Sequence, residues 1–564
     1  MFAFKNSSIM GAFRAALPLL LQQNTLLPVQ LCIGDGCSTN CSIDLAPPHG
    51  NGTGSGGGNG TGGGLSTLTI TDVWQTTWDG TGLFAHSVPN PAVKFLASTA
   101  TNATVHISIN ENVTYQQMQG IGASLTDSSA LVLSRLKHPD CLADERFLQA
   151  NNVTAYNSLL STLFDPTFPL TSSSSSSFSS TSASLSYLRL PLGATDLSAT
   201  AYSYDDTTND TSLASFSIDK VVPSYVFDVL ADVLKVSKGR VKVHVCPWSM
   251  PGWMKDSGTV DGGNFLSQYT NSFADYLFKS VQAWSAKGLP IFAVSIQNNN
   301  PTYPTALLDA ATEGQIAITL RTLLDSNGFS SVRIIGYESN WVDETYPGAV
   351  MTAAPNALAG ISFHCYAGTV DAQTTFKNAW PKAEVYQTEC ADVPGTDWWT
   401  DIKWMTNGMW IGAPNNWAGT AAMWSLAAEP NGDPLLPGTT SCGQGCRGVM
   451  SVTANTSWEA NQEFYGMAHA SKALVPQDTS TNSQWAVRIS SNITGSNAGF
   501  ITATAYKAPR TNSSGGLDRY SLVVLNSNDG ENSAGVGWNP QPLTLSIAFQ
   551  GKQIQWTFPV GLTT

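Results

Sequence analysis

Glu384-Val385-Tyr386-Gln387-Thr388-Glu389-Cys390 is a short run of strand-forming residues that stops on a carboxylate and a cysteine. Runs like it recur from about residue 118: Met118 to Ala123, Leu185 to Pro191, Val241 to Cys246, Ile291 to Gln297, Val332 to Tyr337, Ile361 to Tyr366, Glu384 to Thr388 and Thr420 to Leu426. Each is brief and largely apolar, as expected of a strand covered on both faces. Helical stretches such as Ser224 to Val236 and Asn271 to Ala286 lie between them. Strands and helices alternating eight times predict an α/β fold, a (β/α)8 TIM barrel.

Outside this region the helices stop. The segments Leu68 to Trp74 and Val105 to Ile109 precede it, and Trp485 to Ser490, Phe500 to Tyr506, Tyr520 to Asn526 and Leu543 to Phe549 follow it; all are strand-like. They predict a β-sandwich side domain, formed by the C-terminal strands plus the strands preceding the barrel. The expected division is 66–117 for strands contributing to the sandwich, 118–472 for the barrel and 473–564 for the rest of the sandwich. Residues 32–65 read as a cysteine-containing tail and a Gly-rich linker with too little apolar content to fold. Residues 1–31 read as a signal or targeting segment, with Lys5 and Arg14 ahead of the apolar stretch Ala15 to Leu21. That stretch is too short to span a membrane. The Ser-rich segment Ser172 to Ser184 reads as an exposed loop between barrel elements.

Composition narrows the function. Charged residues make up only 12% of the 564 residues, about half the usual share, whereas the chain holds 17 Trp and 16 Tyr. A neutral, polar, aromatic-rich surface suits uncharged substrates. The net charge of −13 argues against a nucleic-acid partner, which needs Lys and Arg to neutralise phosphates. Asn-x-Ser/Thr sequons at Asn51, Asn59, Asn102, Asn112, Asn152, Asn209, Asn455, Asn492 and Asn512 fit a secreted glycoprotein. Nine cysteines leave at least one unpaired if the others bridge. Cys442 and Cys446 flank a Gly-rich turn and can form a local disulfide. With no zinc-spaced Cys or His pairs, neither a metal nor an organic cofactor is expected.

Polar residues gather where the strands end, which in barrel enzymes is where catalytic groups sit. Strand 1 runs into Gly120-Ile-Gly-Ala-Ser-Leu-Thr-Asp127, strand 3 into Cys246-Pro-Trp248, strand 4 into Gln297-Asn298-Asn299, strand 6 into His364-Cys-Tyr366, strand 7 into Glu389 and strand 8 into Trp424. These stretches, together with Leu188-Arg-Leu-Pro-Leu-Gly-Ala-Thr-Asp196, Pro247-Trp-Ser-Met-Pro-Gly-Trp-Met-Lys255, Phe363-His-Cys-Tyr366 and Cys446-Arg-Gly-Val449, occur in the order found in glycoside hydrolase family 30. The chain resembles that family, and within it the fungal endo-β-1,6-glucanases. The resemblance implies that Glu389 is the nucleophile of a retaining β-glycosidase. It also implies that Asp127, Trp248, Asn298, His364, Tyr366 and Trp424 line the sugar subsite, with Arg189 fixing the nucleophile. Read singly, Trp248 and Trp424 are equally ordinary core aromatics and His364 a core histidine.

One departure stands out. Retaining hydrolysis needs a second carboxyl group to protonate the leaving oxygen, and in the family it is the Glu of a Gln-Asn-Glu-Pro motif ending strand 4. Here the sequence reads Gln297-Asn298-Asn299-Asn300-Pro301. Either Asn299 replaces that Glu, or a few residues beginning Glu-Pro are missing between Asn298 and the Pro-Thr-Tyr-Pro run. Glu313 and Glu338 are the nearby carboxyl groups that could stand in. The resemblance thus implies a secreted protein, expected to be a monomer, whose partner is a polysaccharide, most of all β-1,6-glucan. A glycolipid of the glucosylceramide type is the alternative, and a carbohydrate-binding homologue with impaired turnover is a third reading.

Overall fold

The computed structural model describes residues 68–97, 102–138, 153–166, 182–300, 302–342, 345–443, 445–453, 456–475, 485–508, 518–530 and 538–564. All lie in the compact unit Ser66–Thr564. The expectations for residues 1–65 and for most of the Ser-rich segment fall outside the described residues, as do sequons Asn51, Asn59, Asn152, Asn455 and Asn512. The other four sequon asparagines, Asn102, Asn112, Asn209 and Asn492, are exposed.

Eight parallel strands close into a barrel: β1 (Gly120–Ser124), β2 (Tyr187–Leu192), β3 (Lys242–Pro247), β4 (Ile291–Ser295), β5 (Arg333–Trp341), β6 (Gly360–Gly368), β7 (Glu384–Glu389) and β8 (Ala418–Met423). They match the eight runs read from the sequence to within a few residues. Strand β8 returns to β1, where Thr420 pairs with Gly120 and Met423 with Ala123. Close approach sets the sequence here: a Cβ at Gly122 would lie 1.6 Å from the Tyr187 carbonyl oxygen, so β1 and β2 can pair only across a glycine.

Helices pack around the barrel for the usual reason. In the helix Ser224–Val236 the buried residues are Val226, Val229, Leu230 and Val233, one face at helical spacing. Removing each of these side chains from water contributes about 1.5 to 3 kcal/mol at most. The helix Ala310–Ser326 begins at Asp309, whose carboxylate accepts from the amides of Ala311 and Thr312, satisfying donors the helix cannot.

The barrel interior changes character along its axis. Ala293, Ile335 and Tyr386, early in β4, β5 and β7, form an apolar cluster with Phe292. Further along the strands the interior becomes polar, with Arg189, His244, Ser295 and Glu338 all fully buried. The catalytic-face ends follow.

The remaining strands make one nine-stranded sheet, in the order 552–558, 543–549, 105–117, 487–495, 501–508, 519–526, 561–563, 73–77, 85–87. Strands from before and after the barrel are thus interleaved, as the sequence predicts. Val105, Ile501, Val524, Leu545 and Phe558 share a second core.

Candidate active site

The position of Glu389 is built by an irregularity in β7. On its β6 neighbour Gln387 pairs with Phe363 and Glu389 with His364, so Thr388 is an extra residue. Regular alternation would send Thr388 and Glu389 to opposite faces. The bulge lets both reach inward: Thr388 donates its hydroxyl to Glu338 at 2.7 Å, and Glu389 meets Arg189 and Tyr366. A second irregularity serves Glu338. Tyr337 and Glu338 adopt φ of 80° and 45°, and β5 slips register against β6 between Gly336 and Ser339. Two successive non-glycine residues in this region carry backbone strain, which here goes with a fully buried carboxylate.

Arg189 organises these groups. Its Nη1 donates to Glu389 Oε2 at 2.6 Å, while Nη2 reaches Glu338 Oε2, Asn298 Oδ1 and Cys246 Sγ, each at 3.1 Å. The Tyr366 hydroxyl donates to the other oxygen of Glu389 at 3.0 Å. Both Glu389 oxygens therefore face donors, which fixes the carboxylate in place. The Tyr366 hydroxyl is held well above its ordinary range by burial and by the Glu389 charge, so it stays a donor. Its residue is still 44% exposed, which places the ring at the mouth.

Glu338 is a structural anion. Ser295 donates to it at 2.5 Å and His364 Nε2 lies 2.9 Å away. Burial opposes ionisation, yet Arg189 and His364 hold the carboxyl well below its ordinary value. Burial pushes the His244 imidazole, 3.5 Å from Glu338, down to about 4.

Of the residues expected in the pocket, Arg189, Asn298, His364, Tyr366 and Glu389 are brought into one bonded cluster. Trp248 and Trp424 stack face to face beside it, with centroids 4.6 Å apart and planes within 2°, and the Arg189 guanidinium lies 5.6 Å from the Trp424 ring centre. Asp127 is hydrogen-bonded elsewhere. It opens the helix Asp127–Lys137 and accepts from Ser198 and Tyr202, with burial raising its carboxyl to about 6.

Asn299 is engaged elsewhere: its Oδ1 accepts from the Leu308 amide at 3.0 Å. The two stand-in carboxyls are no freer. Both oxygens of Glu338 are taken, and Glu313 accepts from the Tyr337 amide and the Tyr346 hydroxyl, each at 2.7 Å.

Two features escape a reading of the sequence. Asp196 ends the stretch that begins at Leu188, and it is buried with Oδ2 bonded to the Ser441 hydroxyl. Burial and then the Glu389 charge push its carboxyl up, to about 7, and its Oδ1 has no partner. Trp248 Nε1 and Gln297 Oε1 are likewise buried and unpartnered. Buried polar atoms left open beside a carboxylate are what a bound polyol would satisfy. The other feature is a disulfide, Cys365–Cys390; the Cys442–Cys446 pair also forms. Cys246 is the free cysteine among the described residues.

Comparison with known proteins agrees with this architecture. Residues 160–322 match the model of the glycosyl hydrolase family 30 TIM-barrel domain. An endo-1,6-β-D-glucanase of Neurospora crassa is 29% identical over 70% of this chain and 77% of its own length. An endo-1,6-β-D-glucanase of Trichoderma harzianum is 30% identical over 52% of this chain and 62% of its own. Among solved structures, an endo-β-1,6-glucanase superposes with a TM-score of 0.67 at 21% identity, covering 87% of this chain and 98% of that one. The likeness to family 30 glycosidases therefore holds in sequence and in fold.

Proposed function

We propose that this chain is a secreted retaining β-glycoside hydrolase directed at β-1,6-glucan, with Glu389 as its nucleophile and no general acid in the usual place. The observation that carries this reading is the Glu389 carboxylate, fixed by Arg189 at 2.6 Å and Tyr366 at 3.0 Å at the end of β7. In the first step a Glu389 oxygen attacks the anomeric carbon as the bond to the leaving oxygen breaks. Asp196, Trp248, Asn298, His364 and Trp424 supply the polar atoms and indole surface that hold the sugar ring. The proton for the leaving oxygen has no donor near Asn299, so the chain cleaves best those bonds whose leaving group departs as an anion. The β-1,6-glucan preference rests on the fungal relatives, and secretion is supported by two disulfides, which persist in oxidising compartments.

The test is covalent trapping. A 2-deoxy-2-fluoro-β-glucoside with a dinitrophenolate leaving group should leave one sugar on the peptide bearing Glu389, read by mass spectrometry. Labelling of another residue, or none, overturns the assignment. Product release from β-1,6-glucan, β-1,3-glucan and glucosylceramide, measured side by side, separates the substrate readings; binding of gluco-oligosaccharides without product marks a carbohydrate-binding homologue.

A further inference from the structure

A cleft away from Glu389 gathers four tryptophans. It is a shallow, solvent-open cleft of about 360 Å³ between the turn that follows the strand Val73–Thr77 and the start of the helix Trp398–Met405. Trp78, Trp398, Trp399 and Trp538 line it with the carboxylates of Asp79 and Asp397. No residue of the Arg189–Glu389 cluster takes part. The volume is within the ~300–1,000 Å³ range of small-molecule sites.

The groups around the cleft are fixed but not used up. Trp399 Nε1 donates to Asp529 at 2.7 Å, which holds that ring in place. Trp398 Nε1 is buried with no partner. It faces the space over Gly80, where a Cβ would stand 3.9 Å from it; with φ of +69° at Gly80, a side chain there would be strained as well. Asp79 receives Thr77 and Thr81 on Oδ1, and the Thr77 hydroxyl leads in holding its carboxyl below the ordinary range. Asp397 Oδ1 accepts from the Thr400 amide. In each carboxylate Oδ2 takes part in no hydrogen bond among the described residues.

These features select the ligand. Two carboxylates repel an anion. A purely apolar ligand would leave the Trp398 N–H without a partner and strip water from two carboxylates, which is costly. A cation would compete with Lys403, whose ammonium already sits 4.7 Å from the Trp538 ring centre and 5.8 Å from that of Trp399. A neutral sugar fits all of them: its C–H faces stack on indole planes, and its hydroxyls donate to carboxylates and accept from the indole N–H. We propose that this cleft is a second carbohydrate-binding surface, which holds a neutral glucan chain apart from the Glu389 pocket. The choice of glucan rests on the proposed function; the selection of a neutral sugar does not.

The experiment is electrophoresis of the full chain in native gels containing soluble β-1,6-glucan or β-1,3-glucan. The parent, Trp538→Ala and Trp398→Phe are compared, with far-ultraviolet circular dichroism and melting temperature confirming that each folds. Trp538 is partly exposed, and Trp398→Phe keeps a ring while removing the N–H. Retardation should weaken about tenfold in Trp538→Ala and less in Trp398→Phe, while fluoroglucoside labelling of Glu389 stays at the parental rate. Retardation that is unchanged in both variants, or a parent that neither glucan retards, overturns the proposal. If the hydrolase reading alone fails, labelling is absent but retardation still depends on Trp538.

Discussion

Cys365 and Cys390 are joined by a disulfide, and each directly follows a pocket side chain, Cys365 after His364 and Cys390 after Glu389. The bond therefore ties β6 to the end of β7 beside the paired residues His364 and Glu389. With the cysteines 25 positions apart in the sequence, the cross-link stabilises the fold by about 3 kcal/mol, mainly through the unfolded chain. The variant Cys365→Ala/Cys390→Ala should melt several degrees lower and label more slowly at Glu389. Cys442→Ala/Cys446→Ala, whose cysteines are only 4 residues apart, should lose less stability and keep the labelling rate. Calorimetry and single-turnover labelling distinguish the two.

Arg189 is a buried cation paired with two buried carboxylates, Glu338 and Glu389. Replacing it with Met removes the guanidinium from both, and breaking a buried pair in this way costs about 3 to 5 kcal/mol. Lys can neutralise charge but cannot present a planar fork to Glu389, Glu338 and Asn298 together. Arg189→Lys should therefore fold with a lowered melting point and label Glu389 at least about tenfold more slowly. Equal labelling rates for Arg189→Lys and the parent would show that Arg189 does not position the nucleophile.

Much of this cluster is legible in the sequence, and the reason is geometric. A barrel brings its strands together regardless of sequence separation, so a polar residue set within an apolar run, as Arg189 and His364 are, or closing one, as Glu389 does, is already placed near the others. What the sequence hides is what depends on departures from regular strands. Nothing in Thr388-Glu389 announces a bulge, and nothing in Tyr337-Glu338 announces two positive φ angles, so Glu338 reads as a spare acid when it is the second anion of Arg189. Asp196 is concealed for another reason. It follows β2 by several residues, and only the packing of the Ser441 loop against it brings it within reach of the Glu389 charge. Asp127 is a mixed case: its residue type and place after β1 suit a sugar ligand, and Ser198 and Tyr202 both bond its Oδ2, which leaves Oδ1 outside those bonds.

The missing general acid makes a sharp kinetic prediction. On a dinitrophenyl β-glucoside, whose leaving group needs no proton, the first step proceeds, and the glycosyl-enzyme then waits because no base activates water. Azide, a nucleophile that needs no base, should accelerate turnover and yield β-glucosyl azide, identified by chromatography. Glucosides with poor leaving groups should react ~10²- to 10⁴-fold more slowly than in a complete pair. Asn299→Glu should recover only part of this, because the Leu308 amide that now binds Asn299 Oδ1 would favour the ionised carboxylate, which has no proton to give. Inserting Glu-Pro after Asn298 should recover more if residues are missing there; sequencing of the transcript across codons 297 to 301 reports directly on that point.

Glu313 predicts how stability depends on pH. Burial pushes its carboxyl up from the ordinary 4.5 to about 7, outweighing the Tyr337 amide and the Tyr346 hydroxyl, which both donate to it at 2.7 Å. A folded-state value above the unfolded one means that the folded chain binds the extra proton between them. The stabilisation is therefore complete below pH 4.5 and is lost as pH rises through about 7, a change on the order of 3 kcal/mol. Glu313→Gln keeps the shape but cannot ionise. It should match the parent in melting temperature near pH 5 and exceed it near pH 8; a variant whose melting temperature falls as steeply as the parent's between those values would show that Glu313 is not the titrating group.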